Sequence, residues 1–327
     1  MSKASPSSSQ PSQPTSALLE RVHSSLLSWY AAEQRHLPWR TTSDPYAILV
    51  SEIMLQQTQV DRVLPKYQQF LAAFPTLTVL AEAPTADVIA AWVPLGYNMR
   101  AVRLQSIARQ VISEHAGRIP DTIDELLTLK GIGRYTAGAI ACFAYHKPVA
   151  TVDTNIRRVL HRIFLGLEHP EPRANDGQML TLAEQVLPRE AAYNWNQALM
   201  DLGATICTSN SPQCTQCPMQ DSCQAFAEMS QYSLFPSGTV LRQLRKVAEK
   251  KAPYKAQPFT SSNRYFRGRI VDLLRALPAD QRISLRELGP KIKSDFSEDE
   301  LTWLQRIVAG LVKDGLLNAT EDGVRLP

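Results

Sequence analysis

The sequence predicts an all-α protein, since apolar side chains recur at helical spacing through most of the chain and strictly alternating β-branched runs are absent there. The chain has 327 residues, of which 44% are hydrophobic, so it can form two or three domains with real cores. Its formal net charge of +4 is compatible with a nucleic-acid partner without requiring one.

The N-terminal tail, residues 1–16, is rich in Ser, Pro and Gln and is predicted to be disordered. It lacks the apolar core of a secretion signal, and no stretch approaches the run of about eighteen apolar residues that a membrane span needs. We therefore expect no membrane partner and a cytoplasmic, nucleoid-associated location.

Residues 17–230 are predicted to form one helical domain of about ten helices. Pro45 opens the apolar stretch YAILVSEIMLQQTQV, and Thr122 with Glu125 forms a capping-box pattern before the next apolar run. Helical spacing is also clear in four further stretches: residues 98–115, 135–145, 155–165 and 193–202.

The composition changes after residue 231. Residues 231–262 include a basic stretch, which is typical either of a solvated linker or of a strap that follows DNA phosphates. Residues 263–327 predict a helix at 265–277, two helices that begin at capping boxes, and a short β-hairpin. This order predicts a small winged-helix-like domain, which would bind either DNA or a protein partner.

Two glycines one residue apart mark a tight turn in the segment LKGIGRYT. Gly131 and Gly133 let the backbone turn sharply and expose amide N–H groups at a helix N-terminus, where they suit a DNA phosphate. A dinucleotide-binding fingerprint does not fit, because no strand precedes the turn and no third glycine follows. With helices on both sides, the segment predicts a helix–hairpin–helix motif.

Four of the five cysteines lie within seventeen residues, in the spacing C-x6-C-x2-C-x5-C: Cys207, Cys214, Cys217 and Cys223. Thiolates bind iron–sulfur clusters and soft metals, and a structural zinc site usually uses two close C-x2-C pairs, of which this loop has one. The spacing favours a 4Fe–4S cluster, with zinc and disulfides as alternatives. Cys142, in an apolar run, is predicted to be buried without a role.

In order and spacing, these features resemble the helix–hairpin–helix DNA glycosylases of the endonuclease III superfamily, through GIGRYTAGAI, TVDTNIRRVLHR, NQALMDLGATICT and the cysteine loop. LPWR, SEIMLQQTQV and PLGY narrow the resemblance to the MutY-type adenine glycosylases, across residues 18–226. The resemblance implies a monomeric base excision repair enzyme that excises adenine mispaired with 8-oxoguanine or guanine in double-stranded DNA.

The resemblance places Glu52 and Asp153 on the two catalytic carboxylate positions of the family. Cleavage of an N-glycosidic bond passes through an oxocarbenium-like state, which two carboxylates with different pKa values serve. Desolvation in an apolar helix should raise the pKa of Glu52 and make it the proton donor. The helix that follows Asp153 should favour its anion. A surface glutamate and a plain N-cap are the alternatives.

Tyr135 falls where strand-cleaving members of the superfamily carry a lysine that forms a Schiff base. A phenol cannot form an imine, so we predict a monofunctional glycosylase. Mismatch glycosylases that act on thymine or uracil can carry a tyrosine at the same position, and they remain the alternative.

By the same resemblance, Trp39, Arg40 and Gln197 line the adenine pocket, where their side chains suit stacking and contact with the edge of a flipped base. Asn155 is expected to orient Asp153. Three further residues fall at positions where members of the family wedge the DNA helix open and fill the gap in it: Gln56, Gln57 and Tyr97.

The sequence departs from the family pattern in two places. Asn98 stands where a second aromatic residue usually follows Tyr97, and about sixty-five residues follow the linker in place of the far larger Nudix-like domain that inspects 8-oxoguanine. The resemblance therefore leaves the opposite-base preference open. A non-catalytic iron–sulfur DNA-binding regulator would share the fold and the cluster but would not need Glu52 and Asp153.

Overall fold

The computed structural model describes residues 14–168, 173–231, 258–278 and 281–327. Residues 1–13 of the predicted disordered tail and most of the predicted basic linker therefore lie outside the described residues, whereas Thr15 caps the first helix and Ser16 begins it. The all-α prediction is confirmed: within the described ranges the chain is helical except for one short two-stranded sheet.

Up to residue 231 the helices are α1 (Ser16–Glu33), α2 (Pro45–Leu55), α3 (Val60–Ala73), α4 (Leu77–Glu82), α5 (Thr85–Ala91), α6 (Met99–Glu114), α7 (Ile123–Thr128), α8 (Arg134–Phe143), α9 (Thr154–Phe164), α10 (Asp176–Gln185), α11 (Ala192–Thr205) and α12 (Gln224–Ser230). After residue 258 they are α13 (Asn263–Arg275), α14 (Leu285–Ile292) and α15 (Leu301–Lys313), followed by β1 (Asn318–Thr320) and β2 (Gly323–Arg325). None of these helices is both long and apolar enough to span a bilayer.

Local sequence signals explain where several helices begin. Pro45 is the first residue of α2, where a missing backbone N–H costs nothing. The side chain of Thr122 accepts a hydrogen bond from the backbone N–H of Glu125 at the start of α7. Ser284 with Glu287 forms a complete capping box at the start of α14. These starts could be predicted because each depends on one residue or on two residues three positions apart.

The chain forms two compact units. Among the described residues, the first combines residues 14–40 with 134–231, and the second combines residues 41–133 with 258–327. In the first unit, α11 packs against α9 and α1. In the second unit, α4 and α5 pack against α6, and α2 packs against α3 and α6.

The C-terminal segment, residues 258–327, belongs to the second unit. Its core includes Ile270, Leu274 and Leu304, and it continues into Ile89 of α5, while Val102 of α6 packs against it. The backbone N–H of Ala86 donates to the last carbonyl oxygen of the chain at 3.2 Å. The segment thus shares a hydrophobic core with α5 and α6. Its three helices and terminal hairpin follow the predicted order, and the winged-helix assignment itself stays a prediction.

Candidate active site

Glu52 is a buried carboxylate of α2, in the second unit. The helix begins at Pro45, and Asp44 caps it by accepting a hydrogen bond from the backbone N–H of Tyr46 at 3.1 Å. Every residue from 46 to 54 is buried, and Glu52 is only 6% exposed. Enclosing an ionisable side chain in such an apolar helix is costly, which makes Glu52 a candidate for a functional acid.

Arg100 holds the C-terminus of α2, and sequence analysis did not identify it. It is 5% exposed and donates to carbonyl oxygens at the end of α2, those of Ile53 at 3.1 Å, Met54 at 2.8 Å and Gln56. It also donates to the carbonyl oxygen of Gly96 at 3.1 Å. Burial lowers the pKa of Arg100 to about 10. A cation at these unpaired carbonyls satisfies the helix end and fixes it to the turn at residues 95–97.

Gln57 and Tyr97 both adopt left-handed backbone conformations, with φ of 55° and 49°. Such conformations cost on the order of 1–3 kcal/mol for a residue other than glycine, and they cluster at functional sites. Tyr97 is 43% exposed. Its ring centroid lies 5.5 Å from the guanidinium carbon of Arg100 and 4.1 Å from that of Arg264. The turn therefore presents an aromatic ring held by two cations.

The predicted hairpin links α7 to α8. Gly131 has φ of 105°, and a Cβ atom there would lie 2.5 Å from Cδ of Arg103. Glycine is therefore required at this position. The backbone N–H of Lys130 donates to the side chain of Gln110 at 2.9 Å, which anchors the turn on α6. Gly131 and Gly133 are exposed, so their backbone amides are accessible to a phosphate.

Asp153 is the N-cap of α9, in the first unit. Its carboxylate accepts hydrogen bonds from the backbone N–H of Ile156 at 2.7 Å and from the side-chain amide of Asn155 at 3.4 Å. Arg158 donates to Oδ1 of Asn155 at 2.8 Å and to the carbonyl oxygen of Gly203 at 2.7 Å. Asn155 is thus held in place from α11 and contacts the carboxylate that it was predicted to orient.

The helix effect predicted at Asp153 is present, because backbone N–H groups of α9 lower its pKa, but this effect does not set the net direction. Burial raises the pKa of Asp153, and this outweighs the lowering by the hydrogen bonds from Ile156 and Asn155 and by the charge of Arg158. The sequence showed the helix that follows the carboxylate but not the protein that surrounds it. The fold therefore disfavours the anion of Asp153, and buried carboxyl groups with raised pKa values are candidates for functional sites.

Arg40 and Asp201 form a buried ion pair in the first unit. The two terminal nitrogens of Arg40 donate to the two carboxylate oxygens of Asp201 at 2.8 and 2.7 Å, and Nε of Arg35 donates to Asp201 at 2.7 Å. Asp201 is completely buried, and although burial opposes its charge, hydrogen bonds from Arg40 lower its pKa. The guanidinium of Arg40, the residue next to Trp39, is thus paired with Asp201. Sequence analysis did not identify Asp201 as this partner.

The other predicted pocket residues in the first unit are placed on separate elements. Trp39 is 7% exposed in the short 3-10 helix Pro38–Arg40, and Gln197 is 4% exposed on α11. Within the part of the chain that the structure describes, Gln197 makes no side-chain hydrogen bond. Tyr135 is the second residue of α8 and is partly exposed.

Four thiols line one small cavity of the first unit, together with Arg162 and Phe226. The thiols are those of Cys207, Cys214, Cys217 and Cys223. All are free thiols, and Arg162 donates to Sγ of Cys207 at 3.4 Å. Burial raises the pKa of Cys217 to about 12 and that of Cys223 to about 11. Nowhere in the described ranges do three His, Cys, Asp or Glu side chains converge on a point that could hold one metal ion. Thiols around a cavity fit a multi-iron cluster, in which each iron takes one thiolate, better than a single zinc.

Comparisons with known proteins agree with this fold. Residues 50–184 match the family described as HhH-GPD superfamily base excision DNA repair protein. The structure resembles a thermostable thymine-DNA glycosylase, with a TM-score of 0.61 and 31% identity over 65% of this chain and 98% of that one. It also has the fold of endonuclease III bound to DNA, with a TM-score of 0.56 and 20% identity over 65% of this chain and 98% of that one.

The hairpin, the N-cap aspartate and the cysteine loop on this fold define a helix–hairpin–helix DNA glycosylase. Adenine DNA glycosylase from Mycolicibacterium smegmatis is 38% identical over 91% of this chain and 93% of its own length. The chain belongs to the adenine DNA glycosylase family, as the resemblance to the MutY type predicted. A match of that extent also reaches well into the C-terminal segment.

Proposed function

We propose that this protein removes adenine from mispairs with 8-oxoguanine or guanine in duplex DNA, acting as a monomer associated with the nucleoid. Family membership along nearly the whole chain is the observation that carries this proposal. The reaction is hydrolysis of the N-glycosidic bond, which leaves an abasic site in an intact strand.

Glu52 is the general acid. In its protonated form it donates a proton to the adenine ring while the bond between the base and C1′ of the sugar breaks, and the electron pair of that bond leaves with the purine. Burial in α2 keeps water away from this carboxyl group. The leaving base is therefore neutral, which lowers the barrier to its departure.

Asp153 stabilises the sugar cation and the water that adds to C1′. Its carboxylate is held by the first turn of α9 and by Asn155, so it does not have to reorganise as positive charge develops. The burial that raises its pKa strengthens its interaction with such a charge. Asn155 acts as a positioning residue.

Trp39 and Gln197 contact the flipped adenine, by stacking and by hydrogen bonds from an amide that no described neighbour occupies. Arg40 lines the same pocket, and the pairing of its guanidinium with Asp201 supports a role in holding the turn that carries Trp39. Three residues of the second unit wedge the duplex: Gln56, Gln57 and Tyr97. The amides of Gly131 and Gly133 bind a phosphate.

The four clustered thiolates hold a 4Fe–4S cluster, which supplies structural rigidity to the loop at residues 207–223 when bound. Arg162, which already contacts Cys207, would offset part of the negative charge of such a site. Purified protein should contain about four irons and four sulfides per chain. One zinc per chain without iron would contradict this assignment.

The experiment that tests the function is single-turnover excision on duplexes that pair A, T or U with G or 8-oxoguanine. We expect excision of adenine alone. Glu52→Gln should bind the A mispair as wild type does and retain less than about a tenth of its rate, because the amide keeps the shape but donates no catalytic proton. Preferred release of thymine or uracil would contradict the proposal.

That outcome would favour the second candidate, a thymine or uracil mismatch glycosylase. The observation in its favour is the structural similarity to a thermostable thymine-DNA glycosylase at 31% identity. The longer match, across 91% of the chain, is to an adenine glycosylase, and for this reason adenine is the first choice.

A further inference from the structure

A groove of about 710 Å³ runs through the second unit between glycosylase elements and the C-terminal segment. One wall is formed by the end of α2, with Gln56 and Gln57, and by the turn that carries Tyr97. The opposite wall is α13. The volume lies in the range of ligand sites, about 300–1,000 Å³.

One face of α13 forms its wall of the groove. The residues of α13 that line the groove recur at helical spacing, three or four positions apart: Arg264, Arg267, Gly268, Val271, Asp272 and Arg275. With Arg62 and Arg103 from the opposite wall, the lining holds far more cations than carboxylates. Such an excess attracts a polyanion.

Among the described residues no carboxylate pairs with Arg264 or Arg103, and the two other unpaired cations of the lining, Arg62 and Arg100, donate to backbone carbonyl oxygens instead. Arg267 pairs with Asp314, and Arg275 pairs with Asp272 at 2.9 Å. The guanidinium carbon of Arg264 instead lies over two aromatic rings, 4.1 Å from the ring centroid of Tyr97 and 5.9 Å from that of Phe259. These two rings are 43% and 60% exposed, respectively. Aromatic faces beside unpaired arginines are the two components of a site for a nucleic-acid strand.

The groove is continuous with the hairpin through Arg103. The stem of Arg103 lies against Gly131, and the same side chain lines the groove. The other end of the groove, at Gln56 and Gln57, is about one helical turn from Glu52 on α2. A strand in the groove would therefore lie between a phosphate on the hairpin and the nucleotide at Glu52.

The helix that would read DNA in a winged helix is less suited to this task. α15 follows three consecutive acids, Glu298, Asp299 and Glu300, and its exposed positions include only two cations, Arg306 and Lys313. A negative helix start repels phosphate. The cationic face of the C-terminal segment is that of α13.

We propose that this groove binds the DNA backbone next to the excised nucleotide, with Arg264 and Arg103 on phosphates and with Tyr97 and Phe259 against an adjoining base. The inference rests on the proposed function for the identity of the duplex. The C-terminal segment thereby completes the DNA site with α13.

The first test measures duplex affinity at several salt concentrations in full-length protein that carries Glu52→Gln, so that the mispair stays intact. Arg264→Ala should weaken binding about tenfold and lower the salt slope by about one. Arg286→Ala is the matched control, because it removes the same charge from a side chain that is 77% exposed on α14 outside the groove. It should leave affinity and slope unchanged. Equal effects of the two substitutions would overturn the proposal.

Arg264→Lys separates charge from packing against Tyr97. The lysine keeps the positive charge, so the salt dependence of duplex affinity should have the same slope as in the protein that retains Arg264. A slope that falls as in Arg264→Ala would mean that the effect comes from ring packing, and the proposal would be wrong.

The second test locates the phosphate. Methylphosphonates neutralise one phosphate at a time around the mispair on each strand, and at one position Arg264→Ala should add no further loss of affinity. Additive losses of affinity at every phosphate position would contradict a backbone contact. Wild-type affinity in Arg264→Ala would also contradict it and would point to a protein partner in the groove. Excision by the wild type is assayed separately. Its absence would count against the proposed function and would leave the binding comparison intact.

Discussion

Asp153 is both an N-cap and a carboxylate whose charge the fold disfavours. Because burial raises its folded-state pKa above the unfolded value of about 3.9, its contribution to stability is fully present below that value and is lost as pH rises through the folded pKa. At neutral pH the ionised side chain therefore lowers the free energy of unfolding, and this cost is accepted for function.

Asp153→Asn should consequently raise the thermal midpoint at pH 7.5 while it abolishes excision. Asparagine caps a helix as well as aspartate does, and the substitution removes only the charge. The gain should shrink as pH falls through the folded-state pKa, because the wild-type carboxyl group then becomes protonated. Asp153→Ala is the control, because it removes the cap as well and should be about 1 kcal/mol less stable than Asp153→Asn. An asparagine variant less stable than wild type at pH 7.5 would contradict the role of burial.

The proposed monofunctional activity depends on Tyr135. Wild type should leave an abasic strand intact until alkali is added, and borohydride should trap little covalent complex, because a phenol forms no imine. Tyr135→Lys should gain a trapped complex and some strand cleavage, which a denaturing gel detects. Tyr135→Phe, which also lacks an amine, should gain neither. Efficient cleavage by wild type without alkali would refute the monofunctional assignment.

At the residue scale, the sequence predicted those features that depend on residues close to one another in the chain. The N-cap at Asp153 and the glycine at residue 131 could be predicted because each depends on the backbone within a few residues. The pair of Arg40 and Asp201 could not, since 161 positions separate its members and only the tertiary fold brings them together. The raised pKa of Asp153 was missed for the same reason.

Helices were predictable at the scale of elements, but the way their ends are fixed was not. The stretch predicted at 98–115 is α6, from 99 to 114, and the stretch predicted at 155–165 is α9, from 154 to 164. The left-handed residues Gln57 and Tyr97 carried no glycine or asparagine signal. The segments that carry Gln57 and Tyr97 are fixed by hydrogen bonds from Arg100, which donates to the carbonyl oxygens of Met54 and Gly96.

Arg100 should therefore couple stability and catalysis. Arg100→Met leaves buried carbonyl oxygens at the end of α2 without donors, at a cost of roughly 2–3 kcal/mol in urea unfolding. Single-turnover excision should fall as well, because Gln57 and the helix that carries Glu52 lose their anchor. The control is Arg109→Met on the same helix, whose guanidinium donates to the carbonyl oxygens of Ala81 at 2.9 Å and Ala83 at 3.4 Å, away from the end of α2. Equal losses from both substitutions would show that Arg100 has no special role.

At the scale of the whole molecule, the order of elements was predictable but their grouping was not. Linear reading predicted a small separate domain after a linker, and in the structure residues 258–327 fall in one compact unit with residues 41–133. Apolar spacing on α13 and α15 shows that these helices bury a face. It cannot show that Ile89 and Val102, far earlier in the chain, contribute to the same core.

This shared core predicts how the second unit opens. Leu304 is completely buried in the C-terminal core, and Leu304→Ala should lower stability by about 2–5 kcal/mol through lost contacts and a cavity. Because Ile89 lies in the same core, hydrogen exchange measured by mass spectrometry should then speed up in α5 and α6 as well as in α13 to α15. Exchange in α9 and α11 of the first unit is the internal control and should change less. If faster exchange stopped at residue 258, the C-terminal segment would be an independently folding domain, and the groove between α13 and the Tyr97 turn would lack the common core that holds its two walls together.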